Sequence, residues 1–301
     1  IDTGLDGEGQ PKPPDPRPKP SKGPLSPEQL EQLRLKREAN ERRQKAISIL
    51  RSISIRIPLL IYGANVKVDD QIRVGDLIKL VDDVSWEEFM PKGVTKELFS
   101  QYIKYYDEDV FIEAGLRIRR ILQQANEQEP TVRVQQLTKL FSWFKNPDKE
   151  TVLTPWRVVN MHLSQTIGGY CFFSANTYDK EIDNPVFCPA NGVARRIFFP
   201  RARILEINSK TGLYPLYMAY SMFRTHPQYK KIDDSKLWKE VLRNNIFVIC
   251  KTPMALQITK RTLGGFGDFE TNVIYIEDLI AKAKDNLRKL NIEISNQFGF
   301  G

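Results

Sequence analysis

The chain has 301 residues, 41% hydrophobic and 10% aromatic, which is enough apolar material for one large domain or two modest ones. Forty-five Lys and Arg against 37 Asp and Glu leave a formal charge of +8, a balance that favours phosphate-bearing partners without requiring them. Cys171, Cys188 and Cys250 are far apart and form no CxxC pair, which argues against a disulfide framework and a zinc site.

No apolar run reads as approaching the roughly 20 residues that span a bilayer, and the first residues lack the charged-then-apolar character of a signal peptide. A reducing, cytoplasmic setting without a membrane is therefore expected. Because the chain starts without Met and stops at Gly-Phe-Gly, it reads as a piece of a longer polypeptide.

From Gln10 to Pro27, QPKPPDPRPKPSKGPLSP places proline at nearly every second position, which removes backbone donors and favours extended chain. Residues 1–26 are expected to be a linker, with a docking ligand as the sharper alternative. Ser26-Pro27-Glu28-Gln29 has the makings of a capping box and starts a long helix. That helix is charged and has few apolar positions before Ala46, so its first half suits solvent or a neighbouring domain. Arg42, Arg43 and Lys45 could touch phosphates, although a solvated face is the simpler reading. SISIRIPLLIYG then alternates and runs apolar, as a buried strand or a tight turn would.

Val74 to Phe144 returns to helical spacing, with a second capping box at Ser85-Trp86-Glu87-Glu88 and a turn at Met90-Pro91-Lys92-Gly93. Four or five helices are expected there. Phe99, Ile103, Tyr106, Val110, Phe111, Ala114 and Ile118 recur as core positions. Arg117, Arg119 and Arg120 form a basic edge that could contact a DNA backbone. Residues 27–146 thus read as an all-α connector.

After Lys145-Asn146-Pro147-Asp148, the runs RIFFP, RILEIN, NIFVIC and NVIYIE alternate with helical stretches, the rhythm of a parallel βαβ sheet. An α/β domain is expected over 147–301. Its four or so strands fall short of the roughly five to seven of a doubly wound sheet, so it reads as incomplete. Within it, Thr154-Pro155-Trp156 starts a helix. ARILEINSKTGLYPLYMAYSMFR gives a strand ending in Glu206, a small-residue loop from Asn208 to Gly212, and an aromatic helix. TNVIYIEDLI closes a further strand on Glu277 and Asp278. A strand that ends in a carboxylate and turns through glycine into a helix makes a ligand cradle at the carboxyl end of a parallel sheet.

This order resembles motifs X, I and III of the methyltransferases that modify adenine N6. TPWRVVNMHL and ILEINSKTGLYPLY are particularly similar to the adenine-specific DNA methylase region of large fused helicase-methylase restriction-modification proteins of the type ISP kind, over residues 45 to 301. The resemblance implies an incomplete Rossmann-like methyltransferase sheet that binds S-adenosylmethionine. Glu206 with Asn208, Lys210, Thr211 and Gly212 would hold the methionine end, Thr154 and Pro155 would wall the pocket, and Asp278 would accept from the adenine amino group. The implied partners are double-stranded DNA, an upstream helicase or translocase, and downstream catalytic and target-recognition segments of the same polypeptide.

Three departures stand out. The loop has Asn208, Ser209 and Lys210 where relatives carry more glycine. NIFVIC delivers Cys250 and Lys251 where an acid would hold the ribose. The chain also contains no Asn/Asp-Pro-Pro-Tyr/Phe loop of the kind that grips a flipped base, so no catalytic residue is assigned.

Lys210-Thr211 lacks the glycines of a phosphate-binding loop. His162 and His226 are isolated and read as surface or packing residues. Lys260 and Arg261, before a glycine-rich stretch, could meet DNA, while Lys282, Lys284, Arg288 and Lys289 read as a solvated face. The competing reading is a non-catalytic DNA-binding or structural coupler between a helicase and a target-recognition domain, which needs basic surface but no open cavity at Glu206 and Gly212.

Overall fold

The computed structural model describes residues 26–144, 153–174, 176–266 and 269–300. Residues 1–25 of the expected linker and the turn at 145–148 lie outside these. The described chain is mixed α/β, with a three-stranded parallel sheet and a separate antiparallel hairpin. It divides into one unit ending at Ser48 and a second that runs from Ile49.

In the first unit, residues 26–48 belong to α1 (Pro27–Ser54). Ser26 Oγ accepts from the Gln29 amide at 3.2 Å, and the Gln29 side chain accepts from the Ser26 amide at 3.0 Å, the reciprocal box that the sequence predicts. Arg34 lies 3.7 Å from Glu31 and 3.4 Å from Glu38, exposed pairs worth a few tenths of a kcal/mol each, on the order of 0.3. Leu30, Leu33 and Leu35 are exposed.

The second unit opens with a correction. SISIRIPLLIYG is helical, forming the end of α1 and then α2 (Ile57–Gly63) with proline in its first turn. Ile53, Ile57, Leu60 and Ile61 recur at helical spacing as well as in alternation, and all four are buried. A second correction concerns apolar length: within Pro27–Gly63 the helical chain is long and apolar enough to cross a membrane by length and composition. Core burial of Ile53, Ile57 and Leu59 to Tyr62 makes the same demand on the sequence.

Five helices then cover 77–143 among the described residues: α3 (Leu77–Leu80), α4 (Asp83–Phe89), α5 (Lys96–Tyr102), α6 (Glu108–Asn126) and α7 (Pro130–Trp143). The cap of α4 is Asp82, which accepts from the Ser85 amide at 2.8 Å, so Ser85 lies inside the helix and not at its start. Phe99, Phe111 and Ile118 are buried and Ile103 and Tyr106 half-buried, but Val110 and Ala114 face outward. The α-helix is interrupted between Tyr102 and Glu108, so one helical phase cannot carry from Phe99 to Ile118.

α8 (Trp156–Thr166) leads into a hairpin the sequence does not announce, β1 (Gly169–Phe173) against β2 (Glu181–Cys188). RIFFP, expected as a strand, is instead the end of α9 (Val193–Ile197) and the turn after it. The rest is β3 (Ile204–Ser209), α10 (Leu213–Thr225), α11 (Asp234–Asn244), β4 (Ile246–Cys250), α12 (Pro253–Gly264), β5 (Asn272–Tyr275) and α13 (Leu279–Gln297).

The three parallel strands lie in the order β3-β4-β5. β4 is central and buried throughout, as a strand with both faces covered should be. Ile246, Val248 and Cys250 join the main core with α10, α11 and α12, whereas Ile249 packs against Leu290 of α13. On β3, Leu205 pairs in register with Phe247 and Ile207 with Ile249, yet they are 47% and 57% exposed. α13 bends sharply at Asn286, whose side chain accepts from the Lys289 amide at 2.9 Å and restarts the helix. The bend brings Lys282 to 2.9 Å from Glu293.

α12 joins the helical part to the sheet. The closest approach is at Gly63, where an added Cβ would lie 2.3 Å from Met254 Sδ and 2.6 Å from Ile258 Cγ1. At its amino end, Thr252 caps the helix and Ser85 Oγ accepts from the Met254 amide at 2.9 Å. At its carboxyl end, the buried Arg133 donates to the carbonyls of Arg261 and Thr262 at 3.2 and 2.9 Å. The Arg261 carbonyl also accepts from the Gly265 amide at 2.9 Å, and a cation beside these last carbonyls adds a second donor and suits the helix dipole. One continuous core accordingly runs from Ile53 to Val273.

Candidate functional site

β3 leaves its register after Ile207, where Asn208 takes a positive φ of 69° and starts the turn toward α10. The turn is pinned from beneath by α12. Thr262 Oγ1 donates to the Thr211 carbonyl at 2.7 Å, Ser209 Oγ accepts from the Gly212 amide at 3.2 Å, and Thr259 Oγ1 lies 3.4 Å from Ser209 Oγ. Gly212 has φ of 75°, and a Cβ there would come within 3.2 Å of the α12 backbone at Thr259. Glycine is required at this point both by the conformation and by the close approach.

Above this turn is a cavity of about 370 Å³, lined by Thr154, Glu206, Asn208, Lys210, Thr211 and Tyr214 among others. A second cavity of about 640 Å³ shares Ile207 and Asn208 with it and extends over Lys251, Tyr275, Glu277 and Asp278. Together they lie at the carboxyl ends of β3, β4 and β5. Of the residues singled out in the sequence, Thr154, Glu206, Asn208, Lys210 and Thr211 line the first cavity and Asp278 the second. Gly212 shapes the turn behind the first, while Pro155 is the exposed cap position of α8 and lines neither.

Glu206 is the most perturbed group here. Burial pushes its carboxyl up to about 8, opposed by a hydrogen bond from Ser209, and its Oε2 is enclosed with no donor among the described residues. Lys210 leans away from it to Glu88 of α4 at 3.5 Å, and Thr252 Oγ1 donates to the other Glu88 oxygen at 2.6 Å. A larger hollow of about 820 Å³, lined by Glu88, Lys92 and Lys96 among others, begins on the far side of Lys210.

Sequence reasoning missed Tyr214 and Lys251 as lining residues. Tyr214 follows the turn glycine by two positions, at the start of the helix expected to be aromatic. His162 is exposed and touches Tyr214, Nδ1 to hydroxyl 3.3 Å. Burial, with Glu206 nearby, raises the Tyr214 hydroxyl above its ordinary value. Cys250 points into the core, where burial pushes its thiol up to about 12, so it is inert as a nucleophile.

The residues assigned to DNA separate into two groups. Arg117, Arg120 and Lys260 are exposed, Arg120 lying 3.8 Å from Asp69. Arg119 and Arg261 are not available to a backbone phosphate. Arg119 is fully buried and donates from Nε to the Val68 carbonyl at 2.9 Å and from its terminal nitrogen to the Asp70 carbonyl. Arg261 is 7% exposed, donates to the Tyr62 carbonyl and stacks 4.3 Å from the Phe266 ring centre. Their positions on α6 and α12 point them at loop and helix carbonyls that need donors.

Compared with known proteins, the chain has no matching family model, no matching curated protein and no matching solved structure.

Proposed function

We propose that the chain is the S-adenosylmethionine-binding portion of a DNA adenine-N6 methyltransferase, working in the cytoplasm as part of a restriction-modification enzyme with helicase and target-recognition segments. The observation that carries this reading is the double cavity over the parallel strand ends, which collects Thr154, Glu206, Asn208, Lys210, Thr211 and Asp278 from three separate stretches of sequence.

The side chains present suit the cofactor's groups. The enclosed, donor-less oxygen of Glu206 is an acceptor for an ammonium, and Lys210, which lines the smaller cavity, is a cation of the kind a carboxylate there would need. Asp278 stands beside Ile276, Leu279 and Ile280, a polar acceptor on an apolar wall of the kind that orients a flat heterocycle. Lys251 leaves β4 without an acid for the ribose, and Glu277, which lines the same cavity, is a carboxylate that would take that role. The strand order β3-β4-β5 is compatible with one half of a doubly wound sheet. When bound, the cofactor would supply the methyl group. These residues would hold and orient it, and the grip on the target base would come from elsewhere, because the chain has no Asn/Asp-Pro-Pro-Tyr/Phe sequence.

Calorimetric titration with S-adenosylmethionine tests the reading. Saturable binding that is lost in Glu206→Ala and in Asp278→Ala is the expected result. A folded chain that gives no heat favours the coupler reading.

A further inference from the structure

We infer that the segment Arg195 to Arg203 is a polynucleotide-binding surface, distinct from the cavity and from the basic residues picked out in the sequence. It holds Arg195, Arg196, Arg201 and Arg203 within nine residues, and all four are exposed. No acidic residue occurs between Asp183 and Glu206, and among the described residues none of the four forms an ion pair with a carboxylate. Four unneutralised guanidinium groups on one short stretch make a strongly cationic local field.

The backbone that carries them is fixed. Ala194, Phe198 and Ala202 are buried, and the Asn245 side chain donates to the carbonyls of Pro200 and Ala202 at 2.9 and 2.7 Å. Arg203 is further held over the Phe300 ring, 4.6 Å from its centre. Between the two arginine pairs, Phe199 is 46% exposed although its neighbour Phe198 fills the core.

The chemistry fits a phosphodiester strand. Guanidinium forks match phosphate oxygens in pairs, and an exposed ring set among them offers a face on which an unpaired base stacks. A lipid surface fits less well, because α9 has five residues and no apolar face long enough to enter a bilayer interface. The segment precedes β3, and the cavity lining begins at Glu206, three residues or roughly 10 Å along the strand from Arg203, with no residue of the segment in it. The residues proposed to bind a polynucleotide and those proposed to hold the cofactor therefore do not overlap.

The test is fluorescence anisotropy of the chain with a labelled oligothymidylate of about 20 nucleotides, with the matching duplex and with phosphatidylserine vesicles, across a salt series. The wild type is expected to bind the oligonucleotides with a steep salt dependence. R195E/R196E/R201E is expected to weaken this at least tenfold and to lower the salt slope by roughly two. Phe199→Ala is expected to weaken the single strand about tenfold while leaving the duplex nearly unchanged. All these side chains are exposed, so an unchanged melting temperature verifies the fold of each variant. Wild-type affinity in the triple variant overturns the inference, as does binding to vesicles with none to oligonucleotides, or loss of binding in Arg117→Ala/Arg120→Ala/Lys260→Ala alone. Failure of the cofactor titration would leave these outcomes unaffected.

Discussion

Glu206 turns binding of a cation in the smaller cavity into a proton-releasing event. With its carboxyl pushed up to about 8 by burial, roughly nine-tenths of the molecules carry it protonated at pH 7. An ammonium or sulfonium seated against it draws that value back toward the ordinary carboxylate range, and the proton leaves. Titration with S-adenosylmethionine in buffers of different ionisation enthalpy is expected to show release of about 0.9 proton from Glu206 at pH 6–7, where the ligand's α-ammonium is still mostly charged. Affinity should rise with pH between about 5 and 7, below the range near 8 where the ligand's own α-amino group loses its charge, and Glu206→Gln should abolish both the rise and the release. Binding at pH 7 with no release from the wild type would refute the placement of the ligand's positive charge on Glu206. The same shift governs stability. The folded-state value lies above the unfolded one, so the contribution is fully present below the ordinary carboxylate range and is lost as pH rises through about 8. A shift of this size converts to ~5 kcal/mol, and water reaching the carboxyl through the cavity reduces that to about 2–3 kcal/mol. Urea melts at pH 5 and pH 9 should differ by this amount in the wild type and much less in Glu206→Gln.

Three further outcomes follow from the way α12 is held. Gly63→Ala should cost about 1–3 kcal/mol in urea unfolding, because its methyl group overlaps Met254 and Ile258 and only the methionine can give way easily. Arg133→Met removes the side-chain donor to the Thr262 carbonyl and leaves the Arg261 carbonyl only the Gly265 amide, and should cost about 1–3 kcal/mol. Lysine at that position should recover only part of the loss, since a point charge cannot reproduce the fork. Ser85→Ala removes the acceptor for the Met254 amide and should lower stability by about 1 kcal/mol, measured as a shift in urea midpoint at constant slope.

Local chemistry made much of this legible from residues alone. The Ser26 box, the helices from Leu77 to Trp143 and the strands at Leu205, Val248 and Val273 all follow from caps and periodicity that operate within a few residues. The cavity lining was legible for a similar reason, since a carboxylate, a glycine turn and a helix start adjoin one another in sequence. Features set by distant partners were not. Arg119 and Arg261 look like neighbours of Arg117 and Lys260, and only the Val68, Asp70 and Tyr62 carbonyls decide that they are core residues. RIFFP has strand composition, but Phe198 is drawn into the core and the Asn245 amide, more than 40 residues on, fixes the turn. The β1–β2 hairpin is likewise settled by contacts between separated residues, such as Tyr170 on Phe187, 5.4 Å between ring centres.

Because α12 is tied at one end by Ser85 and at the other by Arg133, the helices before it and the sheet beside it cannot melt separately. Losing the early helices would strip donors and acceptors from both ends of α12 and uncover the surface that Gly63 and Tyr62 occupy. Losing the sheet would uncover the face of α12 that packs on β3, β4 and β5. Residues 49–301 should therefore show one cooperative transition in calorimetry, with the calorimetric and van't Hoff enthalpies in agreement. Cut into 49–144 and 153–301, the two pieces would each be poorly folded alone and would regain structure on mixing, so that fragment complementation becomes a direct reading of how tightly α12 binds its cradle.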